Sequence, residues 1–206
     1  MSAWCTRLLP VVLASMTAAC ASAPIRYYTL CPPTDKAQGA PQAIPAIDFR
    51  AVDVPSELNR ADLVVRTGPT EIALLENERW ASPVKDEIQE ALRLGLQRRL
   101  ARTAASSRPF TRLTLDIDVH RFEAELGRYA HLEVSWRATL SGEDAASRGK
   151  KSTRCVFRAD EEIAAGYAGM VEGYQRGIAA LADAIVVALT SSTGGEDAVC
   201  ETSIRD

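Results

Sequence analysis

The chain has 206 residues, 47% hydrophobic and 25% charged, and its 24 Lys and Arg against 27 Asp and Glu leave a net charge of −3. These values fit one globular domain with its own core. They exclude the broad basic surface that nucleic-acid binding needs.

The N-terminus has the order of an export signal. Arg7 supplies a positive charge, Leu8 to Met16 is apolar apart from Pro10, and Thr17, Ala18 and Ala19 are small. Positive, apolar and small-residue regions in that order mark a cleavable signal over residues 1–19. The apolar run is too short to span a bilayer, which takes about 20 residues. Cys20 follows at once, as in bacterial lipoproteins, whose cysteine is acylated and becomes the first mature residue. Thr17 stands where such signals usually carry Leu. The alternative is an ordinary signal cut near Ala19 or Ala21. Several acyl chains on one residue anchor stably, at about 0.8 kcal/mol per buried CH2. Ala21 is not acidic, which in Gram-negative lipoproteins points to the outer membrane. Cys5 lies in the discarded segment.

The mature chain, 20–206, reads as a single domain ordered over about 25–192. Ile25 to Leu30 is rich in strand formers and ends at Pro32-Pro33. Residues 34–43 read as a loop. Ile44 to Val54 is a strand whose alternation changes phase near Ala51, the mark of a bulge. Leu63–Arg66 and Glu71–Leu75 are short strands around Gly68-Pro69. Ser82 and Pro83 then open a helix with apolar residues at Val84, Ile88, Ala91, Leu92, Leu96 and Leu100.

Leu113, Leu115, Ile117 and Val119 alternate with polar residues as a half-buried strand, and the phase flips at Arg121-Phe122. Gly127 marks a turn. Leu132 to Leu140 and Cys155 to Ala159 repeat the alternation, so the three strands predict an antiparallel meander. Val171, Tyr174, Ile178, Leu181, Ile185 and Leu189 form one stripe of a helix over about Tyr167–Ser191. Gly194-Gly195 ends it, and the tail from Glu196 reads as polar and loose. The sum is an α+β two-layer sandwich, with two helices packed on one mixed or largely antiparallel sheet.

Cys31, Cys155 and Cys200 remain in the mature chain. Export favours one disulfide. Cys155 with Cys200 is the preferred pair, because a thiol in the tail reaches a strand face readily. Closing that loop is worth up to about 4 kcal/mol, and the alternative leaves all three thiols reduced. His120 and His131 lie on adjacent strands and make a weak metal candidate with Asp118 or Glu133. Asp116 and Asp118 share a strand face and read as solvated. Gly166, Gly169, Gly173 and Gly177 either let a helix approach a neighbour closely or fray its start. Arg98, Arg99 and Arg102 read as a solvated helix end. No nucleophile, metal-ligand or phosphate-loop motif appears, so the reading is a binding or assembly module without a cofactor, and not an enzyme.

Taken together, these segments resemble the ABC-type transport auxiliary lipoproteins, the PqiC-like components of MCE-type lipid transport systems. The resemblance rests on Cys20 followed closely by RYYTL and Pro32-Pro33, on ERWASPVKDEIQEAL at 78–92, on RFEAELG at 121–127, on LEVSW at 132–136 and on GYQRGIAALADAI at 173–185. It implies a non-catalytic subunit in the inner leaflet of the outer membrane, facing the periplasm. The implied partners are an MCE-domain carrier and its inner-membrane permease and ATPase, with self-association into a ring left open. The other reading is an envelope structural or assembly lipoprotein with no transporter. Aromatic residues anchor interfaces well, so Tyr27, Tyr28 and Trp80 read either as a partner surface or as core.

Overall fold

A computed structural model describes residues 23–33, 45–103, 111–141, 151–190 and 198–205. The signal segment, Cys20, the loop at 34–43 and most of SGEDAASRGKK lie outside the described residues.

Eight strands and two helices are present among them: β1 (Arg26–Tyr28), β2 (Ala46–Asp53), β3 (Asp62–Arg66), β4 (Ile72–Trp80), α1 (Val84–Thr103), β5 (Arg112–Glu125), β6 (Tyr129–Ser141), β7 (Lys151–Glu162), α2 (Tyr167–Thr190) and β8 (Ala198–Arg205). The fold is α+β, with both helices against a sheet. That sheet has five strands in the order β2-β5-β6-β7-β8. Its centre is the expected antiparallel meander, and β2 and β8 run parallel to their neighbours at either edge.

Two features differ from the sequence reading. The strands do not all join one sheet, because β1, β4 and β3 form a separate three-stranded sheet. Its central strand runs through ENERW to Trp80, beyond the expected end at Leu75. The tail is also not loose, because Ala198–Arg205 pairs with β7 in parallel. Cys155 lies opposite Cys200, with a Cα–Cα distance of 4.5 Å, and the two are bonded. A parallel edge strand has no hairpin turn to announce it, so only the tertiary register reveals it.

Alternation explains the core. Leu113, Leu115, Ile117 and Val119 of β5 are buried, as are Leu132, Val134, Trp136 and Ala138 of β6. The pairing slips between Val119 and Arg121, leaving His120 as the extra residue, after which Phe122 and Ala124 take the buried positions. A second slip between Phe49 and Ala51 bulges β2. α2 packs along β6 and β7, and α1 lies against α2 and β2. Each large apolar side chain so buried contributes about 1.5–3 kcal/mol.

The glycines of α2 are close-approach positions. A Cβ on Gly173 would overlap the Ile163 Cγ2 methyl and stand 3.2 Å from Ala130 Cβ, whereas one on Gly177 would meet only ordinary contacts from 3.6 Å outward. Gly173→Ala is therefore expected to destabilise the fold by about 1–3 kcal/mol through overpacking. Gly177→Ala is expected to stabilise it by up to about 1 kcal/mol through helix propensity. Thermal or denaturant unfolding of the two variants checks the opposite signs.

Candidate functional site

The segment just after Cys20 is tied to the domain by two buried carboxylates. β4 alternates so that Glu78 and Trp80 face inward, both under a tenth exposed. β1 pairs with it in parallel, Arg26 opposite Glu78 and Tyr28 opposite Trp80. Opposed residues share a face, so both β1 side chains reach Glu78. Arg26 Nε donates to its two oxygens at 2.9 and 3.1 Å, Arg26 Nη2 also contacts Oε1, and the Tyr28 hydroxyl donates to Oε2 at 2.8 Å. The hydrogen bond from Arg26 holds the Glu78 carboxyl below the usual glutamate range, overcoming the upward push of burial, and Tyr28 acts in the same sense. Burial pushes the Tyr28 phenol up, and its bond to Glu78 adds to this. Tyr28 therefore stays a donor. Tyr167, at the start of α2, meets the Tyr28 ring edge-on at 6.4 Å and the Arg26 guanidinium at 5.9 Å.

The second clasp is Glu87, in the first turn of α1. Its Oε2 accepts from the Thr29 hydroxyl and from the Leu30 backbone N–H, each at 2.8 Å, and its Oε1 accepts from Ser82 at 2.9 Å. Ser82 thus serves Glu87, and the first helical amides close on the Pro83 carbonyl. Ala81 N–H donates to Tyr28 O at 2.7 Å, and Gln175 of α2 donates to Thr29 O at 3.1 Å. Leu30 is fully buried. Residues 26–30 are thereby fixed to β4 and to both helices.

Donors occupy both carboxylates, so the arrangement fixes the strand in place. Among the described residues no three His, Cys, Asp or Glu side chains are placed to hold a metal. The two histidines do not converge. His120 contacts Ser135 on the bulge, while His131 Nδ1 contacts Asp160 and its buried Nε2 has no hydrogen-bond partner among the described residues, with the Glu133 carboxylate 4.0 Å away. A groove of about 230 Å3 lies between the small sheet and β5, lined by Val64, Ile72 and Phe122 among others. Its arginines, Arg66 and Arg121, both bond Glu123, at 2.8 and 2.7 Å. Burial raises the Cys31 thiol and keeps it protonated.

The partner-surface reading needs correction. Trp80 is only 3% exposed and packs against Phe122 and Tyr174, with ring centroids 6.1 and 6.3 Å away. It is core, because its strand turns it inward beside Glu78. Tyr28 shares that inward face and is half-buried. Only Tyr27, 64% exposed, faces solvent. Glu78 and Glu87 themselves escape a reading of the sequence, since a glutamate in a polar run or a first helical turn normally points to water. The one available signal is the two-residue step from Glu78 to Trp80, which puts both on a common strand face.

A family model described as the ABC-type transport auxiliary lipoprotein component matches residues 28–186, from the clasped strand to α2. The chain is similar to a crystal structure titled only as an uncharacterized protein, with a TM-score of 0.61, 20% identity, and coverage of 82% of this chain and 100% of that one. A Xanthomonas campestris protein of the DUF330 family gives a TM-score of 0.47 and 16% identity, over 80% of this chain and 93% of its own. No curated protein matches the chain in sequence.

Two predictions follow from the clasps. A depressed folded value means that Glu78 contributes fully above the ordinary glutamate value of about 4.3, and that the contribution is lost as pH falls through the lower folded value. Hydrogen exchange at residues 26–28 should accelerate below about pH 4, and Glu78→Gln should flatten that dependence. An unchanged acid profile in the Gln variant would show that Glu78 does not hold β1. Glu87→Ala strands the buried Leu30 N–H and should cost about 1–3 kcal/mol in denaturant unfolding, with faster exchange at that amide.

Proposed function

The chain belongs to the ABC-type transport auxiliary lipoprotein family, and from that premise we propose that it is a non-catalytic, lipid-anchored subunit that holds an MCE-domain carrier at the inner leaflet of the outer membrane. Family membership makes it a transport-associated envelope lipoprotein with transporter components as partners. No helix among the described residues is long and apolar enough to cross a membrane; in this reading the anchor is an acyl group on Cys20.

The observation that carries the reading is the clasped β1. Five residues from Cys20 to Ile25 reach at most about 18 Å. The next residues are locked to β4, α1 and α2 through Glu78 and Glu87. An anchor pulled through this segment transmits force to the whole domain. A free catalytic domain has no need of so short and so firm a tether, whereas a docking post does. The domain stays close to its own membrane, so the carrier supplies the span across the periplasm to the permease and ATPase.

Pull-down from detergent-solubilised envelopes tests this. The wild-type chain is expected to bring down an MCE-domain protein. Cys20→Ala is expected to move to the soluble fraction and still bind that protein. Recovery of no MCE-domain protein with the wild type would overturn the docking role and favour an envelope-assembly lipoprotein.

A further inference from the structure

Four of the five large hydrophobic side chains exposed among the described residues belong to the three-stranded sheet or the residue leading into it. Ile25 and Tyr27, at and just before β1, are 45% and 64% exposed, and Ile72 and Leu74 of β4 are 53% and 44% exposed. β4 changes phase where its pairing with β3 slips, between Leu75 and Arg79, so Ile72 and Leu74 face outward although Glu78 and Trp80 face inward, and Ile72 also lines the groove against β5. Tyr27 stands opposite Arg79, and Arg79 stands opposite Asp62. Leu74 is opposite Val64 and Ile72 opposite Arg66, at the β3 positions that share a face with Asp62. Leu63 and Val65, on the other face of β3, are buried in the core.

The direction of the chain ties this face to the anchor. β1 runs parallel to the last three residues of β4, so β1, traced backwards, points toward the end of the sheet that carries Ile72 and Leu74. Cys20 is five residues from Ile25, a reach of at most about 18 Å. Arg79 pairs with Asp62 at 3.2 Å and Arg66 with Glu123 at 2.8 Å, and Glu76, two residues after Leu74, is exposed. The face is apolar rather than basic, and Tyr is a residue that sits well where one end is dry and the other wet.

We propose that this outer face, Ile25, Tyr27, Ile72 and Leu74, rests on the acyl–headgroup boundary of the bilayer that holds the lipid on Cys20. The proposal rests on the reading that Cys20 carries the anchor. The contact gives the lipoprotein a second point of attachment. It fixes the orientation of the domain instead of letting it swing on its tether, and so sets which surfaces face the periplasm.

The test uses the full lipidated protein in vesicles of phosphatidylethanolamine and phosphatidylglycerol. In a Cys31→Ser background an environment-sensitive fluorophore is attached at Leu74→Cys, and in a control at Arg102→Cys, on the exposed end of α1. Lipids carrying a shallow nitroxide are expected to quench the probe at position 74 at least threefold more than the probe at 102. Aqueous iodide should show the reverse order. The contrast should persist when phosphatidylcholine replaces phosphatidylglycerol, because the contact is apolar. Equal quenching at the two positions, with the protein still floating with the vesicles, would overturn the membrane contact and leave the face free for a protein partner. Failure of the lipidated protein to float, or equal flotation of Cys20→Ala, would instead overturn the anchor reading itself.

Discussion

Phe122 lies flat on Tyr174, ring centroids 3.8 Å apart and planes within 10°, and the rest of the domain depends on that contact. Phe122 faces inward only because His120 is an extra residue in β5. Without it the strand would keep one phase, and Phe122 would share the solvent face with Asp116 and Asp118. The bulge therefore turns a strand that would expose an aromatic ring into one that presents it to α2. Trp80 completes the cluster from the small sheet, so one junction joins the five-stranded sheet, the three-stranded sheet and the long helix. Burial raises the Tyr174 phenol well above its ordinary value, so the junction stays uncharged at all working pH.

The anchor strand depends on this junction in turn. Trp80 is the inward neighbour of Glu78 on β4, and a β4 positioned by Trp80 presents Glu78 to Arg26 and Tyr28. Exposed ion pairs contribute little. Glu78 and Glu87 differ because their own carboxylates are buried while several donors converge on them. Removing one partner of such a buried, bonded group costs far more than the pair itself is worth. The clasp thus resists local opening of β1 more than it raises total stability.

The opposite side of the five-stranded sheet has another character. Arg50 with Asp116, Arg112 with Asp48, and Arg158 with Glu133 and Glu201 lay ion pairs across neighbouring strands. Such a face stays solvated and resists non-specific association. β8 covers the edge of β7, and its disulfide to Cys155 keeps it there. Among the described residues the side of the five-stranded sheet away from the helices is therefore charged, while exposed apolar side chains gather on the three-stranded sheet.

The sequence by itself determined the elements whose signal is local. Alternation specified the three long strands of the meander, the phase changes at Ala51 and at Arg121-Phe122 marked the bulges of β2 and β5, and the apolar stripe specified α2. The ordered motifs from RYYTL to GYQRGIAALADAI carried the family. Tertiary structure alone decided what depends on distant partners. RYY is too short to show which tyrosine turns inward, and Trp80 looks the same in a sequence whether it is core or surface. Glu78 is read as polar until Arg26, 52 residues away, is placed beside it, and Glu87 until Leu30, 57 residues away, donates to it. The division into two sheets and the parallel pairing of β8 share that cause. Parallel neighbours are joined by no turn, so their register is written in the packing of the whole chain and in no stretch of it.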